Sequence, residues 1–431
     1  MNKIMLDDNE LPTHYYNIIA DLKEPPPPPL NPATNEPLDP KALEGIFPKA
    51  LVEQEISNER YIKIPDEVRN IYMRYRATPL YRAEKLEKLL KTPAKIYYKY
   101  EGASFTGSHK LNTALAQAYY NKQEGIKTLT TETGAGQWGM ALALACKFFD
   151  LNCLIFYVRL HYIQKPYRTT YMKMLDAKVY ASPSKLTTIG RKYLKEDPDH
   201  PGSLGIAISE AMEKVKDKET KYSLGSVLNH VLMHQTIIGQ EAMKQLEKVN
   251  EYPDTIIACF GGGSNLAGIS LPFIGDAIRN KKKLEVIAIE PKSVPSLTKG
   301  KYGYDFGDTA KTTPLLKMHS LGSDFIPPRI QSGGLRYHGS APLISYLVEK
   351  RYIKAQTAKQ ADIMEAAKLF TQTEGILPAP ESAHAIQGAI EEAKKCQKNN
   401  EKKTILINIS GHGFLDLGGY KEYLENKLEV K

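Results

Sequence analysis

The sequence predicts an α/β protein built from two three-layer domains, each a parallel sheet with helices on both faces. From Lys95 onward, apolar strand-like runs alternate with segments of helical spacing. Glycine-rich turns follow several of these strands, at the sheet edge where such proteins hold their ligands. A chain of 431 residues also exceeds what one compact core accommodates, so two domains are expected.

Three parts are predicted along the chain. Residues 1–75 form an N-terminal extension, residues 76–225 an N-terminal α/β domain, and residues 226–431 a C-terminal α/β domain with a phosphate-binding loop. The run Pro25–Pro29 must be an extended polyproline arm, because no helix survives it. This arm either lies on the body of the protein or is a ligand for a proline-binding domain. Pro291–Gln331 has little periodic pattern and is predicted to be a functional loop.

The strands and helices follow from apolar alternation and helical spacing. The predicted strands are Lys95–Tyr100, Thr128–Thr131, Cys153–Val158, Lys178–Tyr180, Thr255–Phe260, Leu284–Glu290 and Thr404–Ile409. The predicted helices are Leu111–Tyr120, Gln137–Phe149, Lys165–Leu175, Ser203–Val215, His230–Leu246, Leu266–Ile278, Lys359–Thr371 and Ala383–Lys395.

Composition narrows the classes of function. The net charge of +9 comes from lysines interleaved with acids, a pattern of solvated helix faces that argues against nucleic-acid binding. The most apolar region, residues 140–160, is interrupted by charged residues and is no membrane span. Four cysteines without a Cys-x-x-Cys pair, and an acidic start, predict a cytoplasmic protein with reduced thiols. His230 and His234 lack a third ligand, so no metal site is predicted.

A lysine stands where the strand Lys95–Tyr100 turns into a helix. Lys110 lies in the first helical turn, where the positive end of the helix dipole lowers the affinity of its amine for a proton. An amine that is unprotonated near neutral pH is what Schiff-base chemistry requires. The alternative interpretation is that Lys110 has no catalytic role and is an ordinary lysine beside a helix start.

A second turn has the composition of a phosphate cradle. Three glycines between a strand and a helix let backbone N–H groups converge on an anion, and two polar residues follow them. The turn lacks the lysine-serine ending of nucleotide loops and the spacing of dinucleotide folds. Together with Lys110, it indicates pyridoxal 5'-phosphate. The residues are Gly261, Gly262, Gly263, Ser264 and Asn265.

Five motifs in a fixed order resemble the tryptophan synthase β chain family, of the longer second type. The motifs are His109–Asn112, Glu132–Gly139, Gly261–Asn265, Gly375–His384 and Ser410–Gly413. The resemblance begins near residue 75 and implies a fold-type II pyridoxal-phosphate enzyme, a carbon–oxygen lyase that makes L-tryptophan from indole and L-serine. It further implies a homodimer, a weak or transient α-chain partner, a monovalent cation, and a mobile segment, at about residues 125–210, that closes over the site.

The resemblance also assigns roles to single residues. Lys110 would hold the cofactor and move the substrate's α-proton, and His109 would touch the phosphate. Asn112 would meet the ring oxygen, and Glu381 and Ser410 would face the cofactor, Ser410 at its pyridine nitrogen. A hydroxyl at that nitrogen leaves the ring mostly neutral, which favours elimination over transamination.

The segment after the strand Thr128–Thr131 is predicted to bind the amino-acid substrate. A glycine-rich nest at a helix start, with no phosphate left to hold, suits the substrate carboxylate. Glu132 at the strand end would help the β-substituent leave and then steady the N–H group of indole, and burial would raise its pKa. The nest residues are Thr133, Gly134, Ala135, Gly136 and Gln137.

Arg336 departs from the pattern of the first-type family, which has an aspartate at that position. A guanidinium fork suits phosphate better than a neutral hydroxyl, so the donor would be O-phospho-L-serine, instead of serine or beside it. The other interpretation is that Arg336 pairs with a nearby acid. Rival functions are a cysteine or threonine synthase, whose usual Ser-x-Gly-Asn nest is missing here, and a binding protein without turnover.

Overall fold

The computed structural model describes residues 2–428. Its strands are β1 (Lys3–Ile4), β2 (His14–Tyr16), β3 (Tyr61–Lys63), β4 (Leu80–Arg82), β5 (Lys95–Tyr100), β6 (Thr128–Thr133), β7 (Asn152–Val158), β8 (Lys178–Ser182), β9 (Thr220–Tyr222), β10 (Thr255–Cys259), β11 (Glu285–Pro291), β12 (Lys301–Phe306), β13 (Leu315–Ser320), β14 (Lys354–Ala358) and β15 (Thr404–Ile409). The helices are α1 (Lys49–Glu55), α2 (Asp66–Tyr72), α3 (Glu84–Leu90), α4 (Lys110–Gln123), α5 (Gln137–Phe148), α6 (Arg159–Gln164), α7 (Pro166–Met174), α8 (Thr188–Glu196), α9 (Leu204–Met212), α10 (Asn229–Gln235), α11 (Ile237–Glu247), α12 (Ser264–Asn280), α13 (Ser296–Lys299), α14 (Pro342–Glu349), α15 (Gln360–Glu374), α16 (Ala383–Asn399) and α17 (Leu417–Leu424). Short 3-10 turns include Pro40–Gly45 and Gly333–Leu335.

The larger sheet has seven strands in the order β1-β4-β5-β15-β10-β11-β14. Strands β5, β15, β10, β11 and β14 run parallel to one another. At the β5 edge, β4 pairs antiparallel with β5, and β1 pairs antiparallel with β4. Every residue of β10 and β15 is buried, as expected for central strands covered on both faces. The parallel arrangement places the carboxyl ends of β5, β10 and β15 at one edge.

The smaller sheet has four parallel strands in the order β8-β7-β6-β9. Helices α5 and α9 pack against it, and α5 also packs on α4, which begins at the edge of the larger sheet. Two parallel sheets layered with helices confirm the predicted α/β class. None of the helices within residues 2–428 has both the length and the apolar surface to cross a bilayer.

Three segments differ from their predictions. The segment Pro291–Gln331 is not a plain loop, because it contains α13 and the antiparallel hairpin of β12 and β13. The predicted helix over residues 230–246 is two helices that meet at Thr236. Strands β4 and β5 lie within the predicted N-terminal domain, residues 76–225, but belong to the larger sheet of the C-terminal part. The reason is that β5 pairs with β15, near the end of the chain, and β4 pairs with β5.

The N-terminal segment lies against the body of the protein. β1 pairs with β4, and Tyr15 and Tyr16 are buried in the main core. After the polyproline run, Leu30 forms a β-bridge with Leu315 of β13, and the hydroxyl of Tyr304 donates to the Pro28 carbonyl at 3.1 Å. We call residues 29–47 the N-terminal strap.

Candidate active site

Two neighbouring cavities meet at the Lys110 side chain, which lines both of them. The smaller cavity, with about 480 Å³ of empty space, lies at the carboxyl ends of β5, β10 and β15. The larger one, with about 1180 Å³, extends from β6 under the N-terminal strap and is mostly apolar. The structure therefore brings together motifs from distant parts of the chain, at the sheet edge where they were expected.

The Lys110 amine lies directly beside the glycine-rich turn. Its Nζ donates to the hydroxyl of Ser264 at 2.8 Å and to that of Ser226 at 3.1 Å. The pKa of Lys110 is lowered to about 8, as predicted. We expected the helix dipole to cause this shift, but the largest cause in the structure is burial, which penalises the charged ammonium.

The glycine-rich turn forms a cradle of backbone N–H groups. Gly263 has a φ of +117°, and α12 begins at Ser264 without a side-chain cap, so the first N–H groups of a 17-residue helix remain available. A Cβ atom at Gly261 would lie 2.9 Å from the Cα of Leu335. Such a narrow cradle at a helix N-terminus fits a phosphate group.

His109 and Ser264 connect the cradle to the lysine. His109 Nε2 lies 3.0 Å from the Ser264 hydroxyl, and burial lowers the pKa of His109 to about 3, so this imidazole is neutral. Asn265 is committed to neighbours: its amide donates to Cys259 Sγ at 3.2 Å and its oxygen accepts from Asn408 at 2.6 Å. His109, Ser264 and Asn265, three of the residues predicted to bind the cofactor, all line the smaller cavity.

Two further residues that line the smaller cavity, Glu381 and Ser410, carry polar side chains. Glu381 Oε1 accepts from the Gly334 N–H at 2.8 Å, whereas its buried Oε2 has no hydrogen-bond partner within residues 2–428. The Ser410 hydroxyl lies 2.8 Å from that of Ser382. The buried Oε2 of Glu381 is therefore free to accept a hydrogen bond from a molecule bound in the cavity. The amine, the cradle and this acceptor together fit an aldehyde cofactor with a phosphate tail.

The predicted carboxylate nest, residues 133–137, is supported by a hydrogen bond from Arg168 to its backbone. Gly136 has a φ of +100°, and in the first turn of α5 the Gly139 N–H donates to the Thr133 hydroxyl at 3.1 Å, which leaves the N–H groups of Gln137 and Trp138 for an anion. The buried Arg168 donates to the Ala135 carbonyl at 2.6 Å and to Asp416 at 2.7 Å. Thr133, Gly134, Ala135 and Gln137 line the larger cavity.

Glu132 points into the larger cavity from the end of β6. Burial raises the pKa of its carboxyl to about 7, in the predicted direction. The hydroxyl of Tyr222 donates to Glu132 Oε2. Tyr222 had not been predicted as a site residue, because it ends a three-residue strand among lysine and threonine, where the sequence carries no functional signal.

The structure places Asn112 outside the cofactor cavity, so its predicted contact with the ring oxygen is wrong. It lines neither cavity, and its side chain belongs to a buried network in which its oxygen accepts from Arg76 at 2.8 Å and from Tyr75 at 3.0 Å. Its amide donates to Gln235 at 3.0 Å. It follows Lys110 by two residues on α4, and this offset turns it away from the cavity. It therefore does not lie with the other predicted cofactor residues.

Arg336 lies one layer behind the nest. Its guanidinium donates to the carbonyls of Pro327 at 2.5 Å and Pro328 at 2.8 Å and lies 3.4 Å from His161 Nε2. Burial lowers the pKa of Arg336 to about 10. The predicted pairing with an acid is wrong, because within residues 2–428 its hydrogen-bond acceptors are carbonyls and an imidazole.

A reactive amine beside a phosphate cradle, between two α/β layers, defines the class of pyridoxal-phosphate-dependent enzymes. The family model described as pyridoxal-phosphate dependent enzyme matches residues 71–411. Within residues 2–428, no group of three or more histidine, cysteine or acidic side chains could hold a metal ion.

Similar proteins define the family more closely. The tryptophan synthase beta chain 2 of Methanosarcina mazei is 57% identical over 428 residues, covering 99% of this chain and 97% of its own. That of Aquifex aeolicus is 56% identical over 432 residues, covering 99% and 100%. The chain belongs to the tryptophan synthase beta chain family, second type.

Solved structures of lower identity share the fold. An L-serine ammonia-lyase from Rhizomucor miehei superposes with a TM-score of 0.63 at 16% identity, covering 82% of this chain and 99% of its own. A threonine deaminase from T.th. gives a TM-score of 0.56 at 18% identity, covering 80% and 97%. Both support the fold-type II architecture.

Proposed function

We propose that the site makes L-tryptophan from indole and L-serine or O-phospho-L-serine by replacing the substituent on the donor's β-carbon. One observation carries this proposal. The Lys110 amine lies 2.8 Å from the Ser264 hydroxyl of the phosphate cradle and also opens into an apolar cavity that contains Glu132. The cradle suits the cofactor, and the apolar cavity suits an aryl co-substrate.

Pyridoxal phosphate, when bound, supplies the electron sink for charge that develops on the substrate's α-carbon. Lys110 would hold it and would take the α-proton, since a pKa of about 8 leaves part of the amine unprotonated near neutral pH. Gly261, Gly262, Gly263 and Ser264 would hold the phosphate. Glu381 and Ser410, which line the same cavity, would face the ring.

The carboxylate of the amino acid would bind in the nest of residues 133–137, whose free N–H groups suit an anion. Glu132 would then serve two steps. Protonated, it assists departure of the β-substituent, and ionised, it accepts the N–H of indole while the ring carbon attacks. A pKa of about 7 allows both forms near neutral pH.

The charge behind the nest supports O-phospho-L-serine as a donor. The cations Lys165, Arg168 and Arg336 are buried there, and Asp416 pairs with the first two at 2.5 and 2.7 Å. This excess of positive charge favours a leaving group that carries negative charge. The path from Arg336 to the nest runs through His161 and Gly333, whose carbonyl oxygen would lie 3.1 Å from a Cβ at Gly134.

Steady-state kinetics with indole and each donor test the proposal. We expect tryptophan as product, and a larger kcat/KM with O-phospho-L-serine than with L-serine. Arg336→Asp should raise the ratio of serine use to phosphoserine use by about tenfold, whereas Arg329→Asp, at a more exposed arginine paired with Glu422, should leave it unchanged. Equal specificity constants for the two donors in the wild type would refute the phosphoserine preference, and product from sulfide but not from indole would refute tryptophan synthesis.

The homodimer, the weak or transient α-chain partner, the monovalent cation and the closing segment at residues 125–210 rest on the family resemblance. They are part of this proposal, as is a cytoplasmic location. Adding an α chain to the same kinetic assay would test the partner: a weak or transient complex predicts little change in kcat/KM for indole.

A further inference from the structure

The N-terminal strap forms the outer wall of the larger cavity. Pro29, Leu43, Ile46 and Phe47 line it, opposite side chains of α9 and β13. Phe47 is buried, whereas most of the strap before it is exposed to solvent. A segment that lies before the five motifs and outside the matched family model therefore closes the apolar space that contains Glu132.

The strap is fixed to the body at two places. Leu30 exchanges backbone hydrogen bonds with Leu315, at 2.9 and 3.0 Å. At the other end, the Ile46 carbonyl accepts from the Tyr222 N–H at 3.0 Å, and the rings of Phe47 and Tyr222 lie 6.0 Å apart. The second attachment thus falls on the residue whose hydroxyl binds Glu132.

Few charged or titratable groups face Glu132. Tyr222 from β9 donates to its carboxylate, and Lys110 from α4 attracts it electrostatically. Glu55 of α1 and Tyr337 line the same cavity, but Glu55 lies 2.8 Å from His230 Nδ1 and the Tyr337 hydroxyl donates to the Gly307 carbonyl at 2.9 Å. The hydroxyl of Thr131 is 3.5 Å away. Burial raises the pKa of Glu132. Among the interactions that lower this pKa, the hydrogen bond from Tyr222 is the strongest.

We infer that the N-terminal strap is part of the active site: it limits the size of the aryl co-substrate and, through Tyr222, positions the carboxylate of Glu132. This inference rests on the proposed function, since it concerns the aryl cavity and the glutamate of that reaction. It makes Phe47 a specificity-determining residue and Tyr222 a positioning residue.

Phe47→Ala tests the size limit. We expect kcat/KM for an indole with an added methyl on its six-membered ring, divided by kcat/KM for indole, to rise about tenfold. Phe47→Leu keeps more of the core packing and should also raise this ratio. It replaces Phe47→Ala as the test if the alanine variant does not fold. Lys41→Ala, at an exposed strap residue, should leave the ratio at the wild-type value. A wild-type ratio in the Phe47 variants that fold would overturn the size limit.

Tyr222→Phe tests the positioning role through a pH profile. Ionised Glu132 accepts the indole N–H, so kcat/KM for indole rises with pH through the pKa of this carboxyl. Without the Tyr222 hydrogen bond that pKa goes up, and the midpoint of the rise should move about one pH unit higher. Tyr61→Phe, at an exposed tyrosine that lines neither cavity, should keep the wild-type midpoint. A midpoint in Tyr222→Phe at or below that of the wild type would overturn the positioning role.

The wild-type assay separates failure of the proposed function from failure of the inference about the strap. A wild-type enzyme that forms no tryptophan from indole with either donor overturns both the proposed function and the inference. An active wild type whose size ratio and midpoint stay fixed in the Phe47 and Tyr222 variants overturns the inference alone. Normal cofactor absorbance in each variant separates these results from loss of the holoenzyme.

Discussion

Replacing Lys110 with alanine is expected to lower the rate of tryptophan formation by at least about 10³-fold. The variant loses both the amine that would hold the cofactor and the base for the α-proton. No neighbour can substitute, because the groups beside the Lys110 Nζ are the hydroxyls of Ser226 and Ser264 and a carbonyl. Steady-state turnover, together with the visible absorbance of the bound cofactor, measures the two losses separately.

Lys122→Ala is the matched control, because Lys122 lies on the same helix but is exposed near its end. It should keep wild-type turnover and absorbance. A Lys110→Ala variant that retains more than about a tenth of the wild-type rate would show that another group performs the proton transfer.

Glu241→Gln is expected to reduce the free energy of unfolding by about 3–5 kcal/mol. Glu241 is fully buried and accepts from Arg76 at 2.6 Å and from Lys99 at 2.7 Å. Arg76 also pairs with Glu101 at 3.0 Å, and these contacts hold the pKa of Glu101 at about 2. Removing one of two carboxylates leaves two buried cations with a single counter-charge.

Urea denaturation of the variant and of the wild type measures this loss. Glu247→Gln, at an exposed residue of the same helix, is the control and should change the free energy of unfolding by less than about 0.5 kcal/mol. A similarly small change in Glu241→Gln would mean that water or rearranged neighbours solvate the cations.

Much of the fold could be predicted because its strands and turns are encoded locally. The predicted bounds of β5 and β15 agree with the structure to the residue, since β5 is rich in aromatic residues and β15 is a mostly apolar run, and both compositions favour strands. The glycine-rich cradle could also be predicted from the sequence, because Gly263 adopts a backbone conformation that other residues rarely take. These features depend on near neighbours in sequence.

Features that depend on distant partners could not be predicted. Asn112 is held by Arg76 and Gln235, and Arg336 by two proline carbonyls, so motif position alone gave no indication of where their side chains point. β12 and β13 form a two-stranded hairpin that joins the rest of the chain through single bridges such as Leu30–Leu315. One face of the hairpin is half-exposed, which leaves little alternation in the sequence. The role of the strap likewise depends on contacts with Tyr222, which lies far along the chain from Phe47.

The central claim is that Lys110 carries the cofactor beside the glycine cradle. Borohydride reduction of the holoenzyme, followed by peptide mapping by mass spectrometry, tests it most directly. We expect a reduced pyridoxyl group on the peptide that contains Lys110 and on no other. A label on another lysine, such as the buried Lys99 or Lys165, or no label at all on a holoenzyme that shows cofactor absorbance, would contradict it.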